Sequence, residues 1–302
     1  MEKSPNYIVY QAYGSIDILN ELIYSIASFY NQSNNLPVNI VVYTDNVKYL
    51  SKYLPSSIIY EELSTSKIKE WRGEIDFVHR VKVEMLLDFC RKYSGNVLYL
   101  DTDTIFTKSP DNLFRAISND ILVMHTSEGK MSITKNRLFE KITDFLKNKL
   151  FDLNGNSITI SSEQEMWNAG VLGFTTEKNH LLYDVLALTD ILHKQYKKHI
   201  MEQLSFSYIF LKNGLLTAAE NQVFHYWNFK EFRQLLKEYL LEQDTFEKIL
   251  ATSHTINPAQ LILPKIRFEK QAHLLQQFKK HVLKQKWYMP NYSQIKSQQP
   301  IL

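Results

Sequence analysis

The chain has 302 residues, 44% of them hydrophobic and 13% aromatic, which is ample for one sizeable core, and a formal charge of only +3. No run of about 18 apolar residues occurs and the first residues are polar without an apolar segment behind them, so neither a spanning helix nor a signal peptide is expected and a cytoplasmic protein is. Cys90, the single cysteine, can form no internal disulfide and reads as a small core residue of a reducing compartment.

Residues 7–13 (YIVYQAY) read as a first strand, ended by Gly14. Ser15 then offers an N-cap to a helix whose apolar side is Leu19, Leu22, Ile23, Ile26 and Phe29. Residues 38–43 form a second buried strand and 57–60 a short third one. Strand, helix, strand in that order is a βαβ unit. A helix from about Asp76, burying Val78, Val81, Met85, Leu86 and Phe89, leads to an apolar strand at 97–100. A helix is expected after Ser109-Pro110 and a strand at 120–125. Residues 126–160 read as a polar loop and a helix broken at Asn154-Gly155-Asn156. A strand covers 167–174, helices 177–195 and 200–212, strands 215–226, and a last helix 268–287. Only eight glycines are present, in neither the P-loop nor the Gly-x-Gly-x-x-Gly pattern, which removes most support for an ATPase or a dinucleotide-dependent dehydrogenase.

Charge divides the chain unevenly. From residue 261 onward eight basic residues face one acidic residue, so this segment carries +7 and residues 1–260 carry −4. The expected organisation is a main domain over 1–260 with a basic, aromatic, helical appendage over 261–302. In that appendage Phe268, Ala272, Leu275, Phe278 and Val282 fall at helical spacing, Lys270, Lys280 and Lys284 lie on other faces, and Trp287-Tyr288 follow. Packing on the domain explains the stripe; contact with an anionic membrane surface is the alternative.

The chemistry starts where the strand at 97–100 stops, in Asp101-Thr102-Asp103. Carboxylates two apart on an extended chain point the same way, so the pair can share one hard cation. Open α/β sheets bind ligands outside the carboxyl ends of their strands, and that is where this pair falls.

With Asp101-x-Asp103, Asn168-Ala169-Gly170-Val171 and His225-Tyr226 taken together, the chain resembles the GT-A glycosyltransferases. The likeness is greatest to the retaining family that includes glycogenin and the bacterial lipopolysaccharide galactosyl- and glucosyltransferases, and it spans about residues 7–230. The resemblance implies an α/β fold, a GT-A-like, Rossmann-type mixed sheet flanked by helices. It implies that Asp101, Asp103 and His225 hold Mn²⁺ or Mg²⁺, with Asp101 also touching a UDP-hexose donor. Lys230 then reaches a phosphate oxygen, and Arg80, or less so Lys82, contacts donor phosphate or sugar. Asn168 hydrogen-bonds the transferred sugar, Gly170 lets it approach, and Glu202-Gln203 lie by the reacting carbon. Glu202 stands where the family has Asp, and Glu163-Gln164 is a competing look-alike. Gln11, Tyr13 and Asp45 fall where base and ribose contacts lie. The implied acceptor is a glycan or lipid-linked saccharide, reached at the inner membrane face if the tail is peripheral; no nucleic acid is expected.

Two carboxylates with an imidazole suit Mn²⁺, which would act as Lewis acid and template for a departing diphosphate. Three other readings compete. A haloacid-type phosphatase would use Asp101 or Asp103 as nucleophile, but its motif lies on the first strand. A nucleotidyltransferase needs a Gly-rich first loop that Tyr13-Gly14-Ser15 does not supply. A catalytically inactive nucleotide-sugar-binding module is argued against by the intact Asp101, Asp103 and His225.

Overall fold

The computed structural model describes residues 4–33, 35–270 and 288–297. It bears out the mixed, helix-flanked α/β sheet. β1 (Asn6–Ala12), β2 (Asn39–Thr44), β3 (Ile59–Glu62) and β4 (Asn96–Leu100) run parallel, with short helices α2 (Val47–Leu50) after β2 and α3 (Thr65–Trp71) after β3. Short strands β5 (Thr104–Phe106), β6 (Leu122–Met124), β7 (Ser127–Lys130), β8 (Phe151–Leu153), β9 (Asn156–Ile158), β10 (Glu165–Trp167), β11 (Val171–Thr175), β12 (Leu216–Ala218) and β13 (Val223–His225) follow. The main sheet has the order β12-β6-β11-β4-β1-β2-β3, with β11 antiparallel to both neighbours. β4 therefore lies near the centre, and all five of its residues are buried, as its apolar sequence requires.

Each face of the sheet carries its own core. Ile8 and Tyr10 on β1 and Leu98 and Leu100 on β4 pack on one side, against α1 (Ile16–Gln32), α5 (Asp111–Ser118) and α9 (Phe232–Leu241). Val9, Val97 and Tyr99 pack on the other, against α4 (Arg80–Lys92), α6 (Arg137–Leu146), α7 (His180–Gln195) and α8 (Met201–Asn213). This is the strand's period of two, read directly as two cores. Ser15 caps α1 as its sequence suggests, its hydroxyl accepting from the Asp17 N–H at 3.3 Å.

Four expectations need correction. The helix before β4 begins at Arg80, because Asp76 takes a positive φ of 47° that ends the preceding turn, and Val78 is exposed rather than buried. Residues 126–160 hold no broken helix. They form β7, then α6, then a β8–β9 hairpin in which Asn154 and Gly155 both take positive φ, the backbone a tight hairpin needs. The phrase 167–174 is two strands in different sheets, interrupted at Asn168-Ala169-Gly170.

The fourth correction concerns the end of the chain, where α9, α10 (Phe246–Thr252) and all but the last two residues of α11 (Pro258–Glu269) occupy residues left without a helix in the sequence reading. The stripe members Ala272, Leu275, Phe278 and Val282, with Lys280, Lys284 and Trp287, lie outside the described residues. The last described helix, α12 (Tyr292–Ser297), packs on α9. Among the described residues no helix is long and apolar enough to cross a membrane.

Candidate active site

Asp101 and Asp103 leave the sheet at the carboxyl end of β4. The turn between them is closed by the Thr104 hydroxyl, which donates to the Asp101 carbonyl at 2.7 Å. β5 then pairs antiparallel with β13 in a register that sets His225 opposite Thr104, and the Tyr226 N–H donates to the Asp103 carbonyl at 3.0 Å. A residue 122 positions downstream is thereby delivered to the motif. One ligand atom from each of Asp101, Asp103 and His225 lies within 4.8 Å of the others.

The tautomer of His225 follows from its partners. Asn168 Oδ1 accepts from the Gly170 N–H at 3.0 Å, and Asn168 Nδ2 donates to Glu128 at 3.1 Å, so the amide orientation is fixed from both sides. That same Oδ1 lies 2.9 Å from His225 Nδ1, which must therefore be the protonated nitrogen. Nε2 faces Asp103 at 3.0 Å and is the atom left to bind a cation. Burial favours the neutral ring, but the hydrogen bond and charge of Asp103, with Asp101 behind it, outweigh burial and hold this imidazole above its usual range. A divalent cation would take the place of that proton.

Asp101 is pinned from the opposite side. The Tyr99 hydroxyl, two residues back on the same strand face, donates to it at 2.6 Å, and the Lys82 ammonium lies 3.3 Å away. Burial pushes the carboxyl up, yet Lys82, His225 and Tyr99 together keep it below the usual carboxylate range. Lys82 also approaches Glu202 at 3.1 Å and donates to the Ala169 carbonyl at 3.1 Å. Glu202 Oε1 is the oxygen that faces that ammonium, so the buried carboxylate is held as the partner of a buried cation. Burial raises the Glu202 carboxyl, Lys82 opposes the rise and Asp101 adds to it.

These groups share one cavity of 750 Å³, lined among others by Asp101, Asp103, Asn168, Gly170, Glu202, Gln203, His225 and Lys230. A cavity of 830 Å³ at the amino ends of β1 and β4, beside Asn6, Gly95 and Asn96, contains none of them. Two carboxylates and an imidazole converging at a cavity wall are a donor set that fits Mn²⁺.

Not every expected residue arrives. Arg80 does not line the cavity: its guanidinium donates to Asp190 at 2.9 Å, Glu84 at 2.8 Å and the Trp71 carbonyl at 2.8 Å, tying α4 to α7. The basic residue α4 does send there is Lys82. Gln11, Tyr13 and Asp45 stand at the carboxyl ends of β1 and β2, where the Asp45 carboxylate accepts from the Gly14 N–H at 2.9 Å, outside this cavity's lining. The look-alike Glu163 is exposed and paired with Lys130 at 3.2 Å, away from the cavity. Gly170 permits a close approach, but the group that approaches is the His225 imidazole, into which a β-carbon would project.

Several lining residues went unsingled in the sequence. Glu128 receives Asn168 Nδ2 on one oxygen and Gln203 Nε2, at 2.9 Å, on the other, joining the two phrases. His79 and His125 lie in the wall and are both pushed down to about 4, chiefly by burial, with the charge of Lys82 adding in the first case and His225 in the second. His199 and Trp227 line the cavity as well. The available signal was position: His79 and Lys82 are three apart at a helix start, and His125 directly follows the carboxyl end of β6.

No family model matches the chain, and no curated protein matches it by sequence. Solved structures do. Mouse xyloside xylosyltransferase 1 in its apo form is similar at 12% identity and a TM-score of 0.46, over 71% of this chain and 84% of that one. The galactosyltransferase LgtC in complex with donor and acceptor sugar analogues is similar at 13% identity and 0.47, over 70% and 73%. The glycosyltransferase GlyE of Streptococcus pneumoniae TIGR4 is similar at 14% and 0.48, over 84% and 64%. Likenesses this distant carry no argument about what the chain does. The chemistry has to come from its own residues.

Proposed function

We propose that the chain is a metal-dependent glycosyltransferase that moves a hexose from a UDP-sugar to a hydroxyl of a glycan or lipid-linked saccharide. The observation that carries this reading is the convergence of Asp101, Asp103 and His225 in the same cavity as Asn168, Glu202 and Gln203. A cation at the triad would neutralise the diphosphate as it departs. Lys230, exposed at the cavity rim, can meet a phosphate oxygen. Asn168, Glu202 and Gln203 address sugar hydroxyls, for which positioning counts most. Tyr13 and Asp45, farther along the same sheet edge, suit the base and ribose.

Retention of configuration fits the carboxylates. Among the described lining residues, Asp101 and Asp103 belong to the triad, Glu128 accepts two amide hydrogen bonds, and Glu202 faces Lys82. No carboxylate is left unengaged as the strong base that an inverting attack requires, so the acceptor proton passes to the departing diphosphate.

Asp103→Asn is expected to lower affinity for UDP with Mn²⁺ at least tenfold by calorimetry, with circular dichroism unchanged. Glu202→Gln and Gln203→Ala should keep that affinity and lose turnover of a UDP-hexose, the pattern of groups that act in the transition state. Unaltered binding in Asp103→Asn would refute the metal site.

A further inference from the structure

Asn168 and Gln203 both bring a carboxamide to the cavity, and an amide addresses a ligand in opposite ways according to the end it presents. Each therefore needs something to fix it. In the ribbon of β7 and β10, Gly129 pairs with Met166 and Ser127 with Trp167, so the register slips and Glu128 is an extra residue with no partner across the ribbon. A bulge of this kind re-aims one side chain. Here it brings Glu128 to the cavity wall, where one carboxylate oxygen accepts from Asn168 Nδ2 at 3.1 Å and the other from Gln203 Nε2 at 2.9 Å.

A carboxylate only accepts, so it holds both amides by their NH₂ ends. The two amides differ in what else binds them. Asn168 Oδ1 takes the Gly170 N–H and lies 2.9 Å from His225 Nδ1, so its orientation has a second support and in turn leaves Nε2 of that ring facing Asp103. Gln203 has no other side-chain hydrogen bond among the described residues, so Glu128 alone decides that the Gln203 oxygen is the end left for a ligand. We propose that Glu128 is the positioning residue of this site, setting Gln203 as an acceptor toward a sugar hydroxyl and securing the Asn168 oxygen that orients His225. This rests on the glycosyl-transfer reading and adds to it a residue that acts through two others.

The test compares Glu128→Gln with Glu128→Ala in the full chain. A glutamine offers one acceptor and one donor. Its oxygen keeps Asn168, which Gly170 also holds, but its NH₂ then meets Gln203, whose amide turns over and presents its own NH₂ to the ligand. Glu128→Gln should therefore bind Mn²⁺, read from the free-ion EPR signal, within about twofold of wild type, and lower kcat for hydrolysis of UDP-glucose, UDP-galactose or UDP-N-acetylglucosamine about tenfold or more. Adding Gln203→Ala to it should cost less than about threefold further, because the first change acts through the second residue. Glu128→Ala, which releases both amides, should also weaken Mn²⁺ binding about fivefold, less than the roughly 10–100-fold that losing a ligand's immediate partner costs. The proposal is overturned if Glu128→Gln keeps the wild-type kcat, if the losses from Glu128→Gln and Gln203→Ala multiply, or if Glu128→Ala folds and binds Mn²⁺ as wild type does. Multiplying losses would make Glu128 a group that meets the substrate on its own account. A wild-type chain that neither binds Mn²⁺ nor releases UDP from any of the three donors would instead remove the glycosyl-transfer reading beneath it.

Discussion

Gly170 occupies a position closed to any side chain. A β-carbon there would overlap the Cε1 and Nδ1 atoms of His225 and stand 3.0 Å from Asn168 Oδ1. Neither can retreat cheaply, since His225 is buried against Asp103 and Asn168 is held from both ends of its amide. Gly170→Ala should therefore swing the imidazole off the triad. Overpacking of this kind costs about 1–3 kcal/mol, small enough for the fold to survive. The expected outcome is a loss of at least tenfold in Mn²⁺ affinity, measured with UDP present, and a melting temperature lowered by a few degrees at most. An unchanged affinity would mean that His225 is not a ligand. The glycine was legible in the sequence as a point of close approach, but what approaches it was not, because the partner lies 55 positions away and is brought in only by strand pairing.

At the scale of elements, local pattern and long-range pairing divide what could be read. β1, β2, β4 and α1 announce themselves through apolar runs and a cap, and the aspartates at the end of β4 inherit their place from that strand. α8 likewise places Glu202 and Gln203 at its start. Glu128 stayed hidden because β7 pairs only with β10, across more than thirty residues, and nothing local marks so short a polar strand. Arg80 and Lys82 are two apart, and a helix that starts at Arg80 turns them about 200° apart; fixing that start decided which one reached the cavity.

The α1–α9 contact offers a further test at this scale. Glu21, buried on α1, accepts both Arg233 Nε at 2.8 Å and Nη2 at 3.0 Å. Burial pushes its carboxyl up to about 7, against the pull of Arg233 and with the help of Asp103. The folded chain thus binds this proton more tightly than the unfolded one. The resulting stabilisation is complete below the ordinary value of 4.5 and is lost as pH rises through about 7. Over that window wild type should lose about 1–3 kcal/mol that Glu21→Gln does not lose, after allowance for the ion pair. The difference between their urea midpoints, followed across the same range, checks this; parallel profiles would show that Glu21 stays ionised throughout.

For the whole molecule, the open question is whether residues beyond 260 form an appendage or part of the body. Ile262, Tyr292 and Ile295 join the core on the α1 face of the sheet. Tyr292 meets the buried Tyr239 edge-on at 5.3 Å between ring centroids, and its N–H donates to Glu238 at 3.0 Å. Tyr239 in turn meets Tyr24 of α1 at 6.4 Å, so the last described helix leans on α9 and, through it, on the helix that carries Glu21. An aromatic side chain buries about 150–250 Å², so losing Tyr292 alone forfeits about 4–6 kcal/mol as an upper bound. We therefore expect full-length chain to unfold in one transition. A chain ending at residue 260 should unfold at a clearly lower denaturant midpoint, and Tyr292→Ala should fall between the two. Because α9 supports Glu21 through Arg233 and follows directly on the His225–Lys230 segment, the shortened chain should also bind UDP with Mn²⁺ more weakly. If it instead keeps both the midpoint and the affinity of the full chain, residues 261–302 are a separable appendage, and the basic charge they carry is free for another surface.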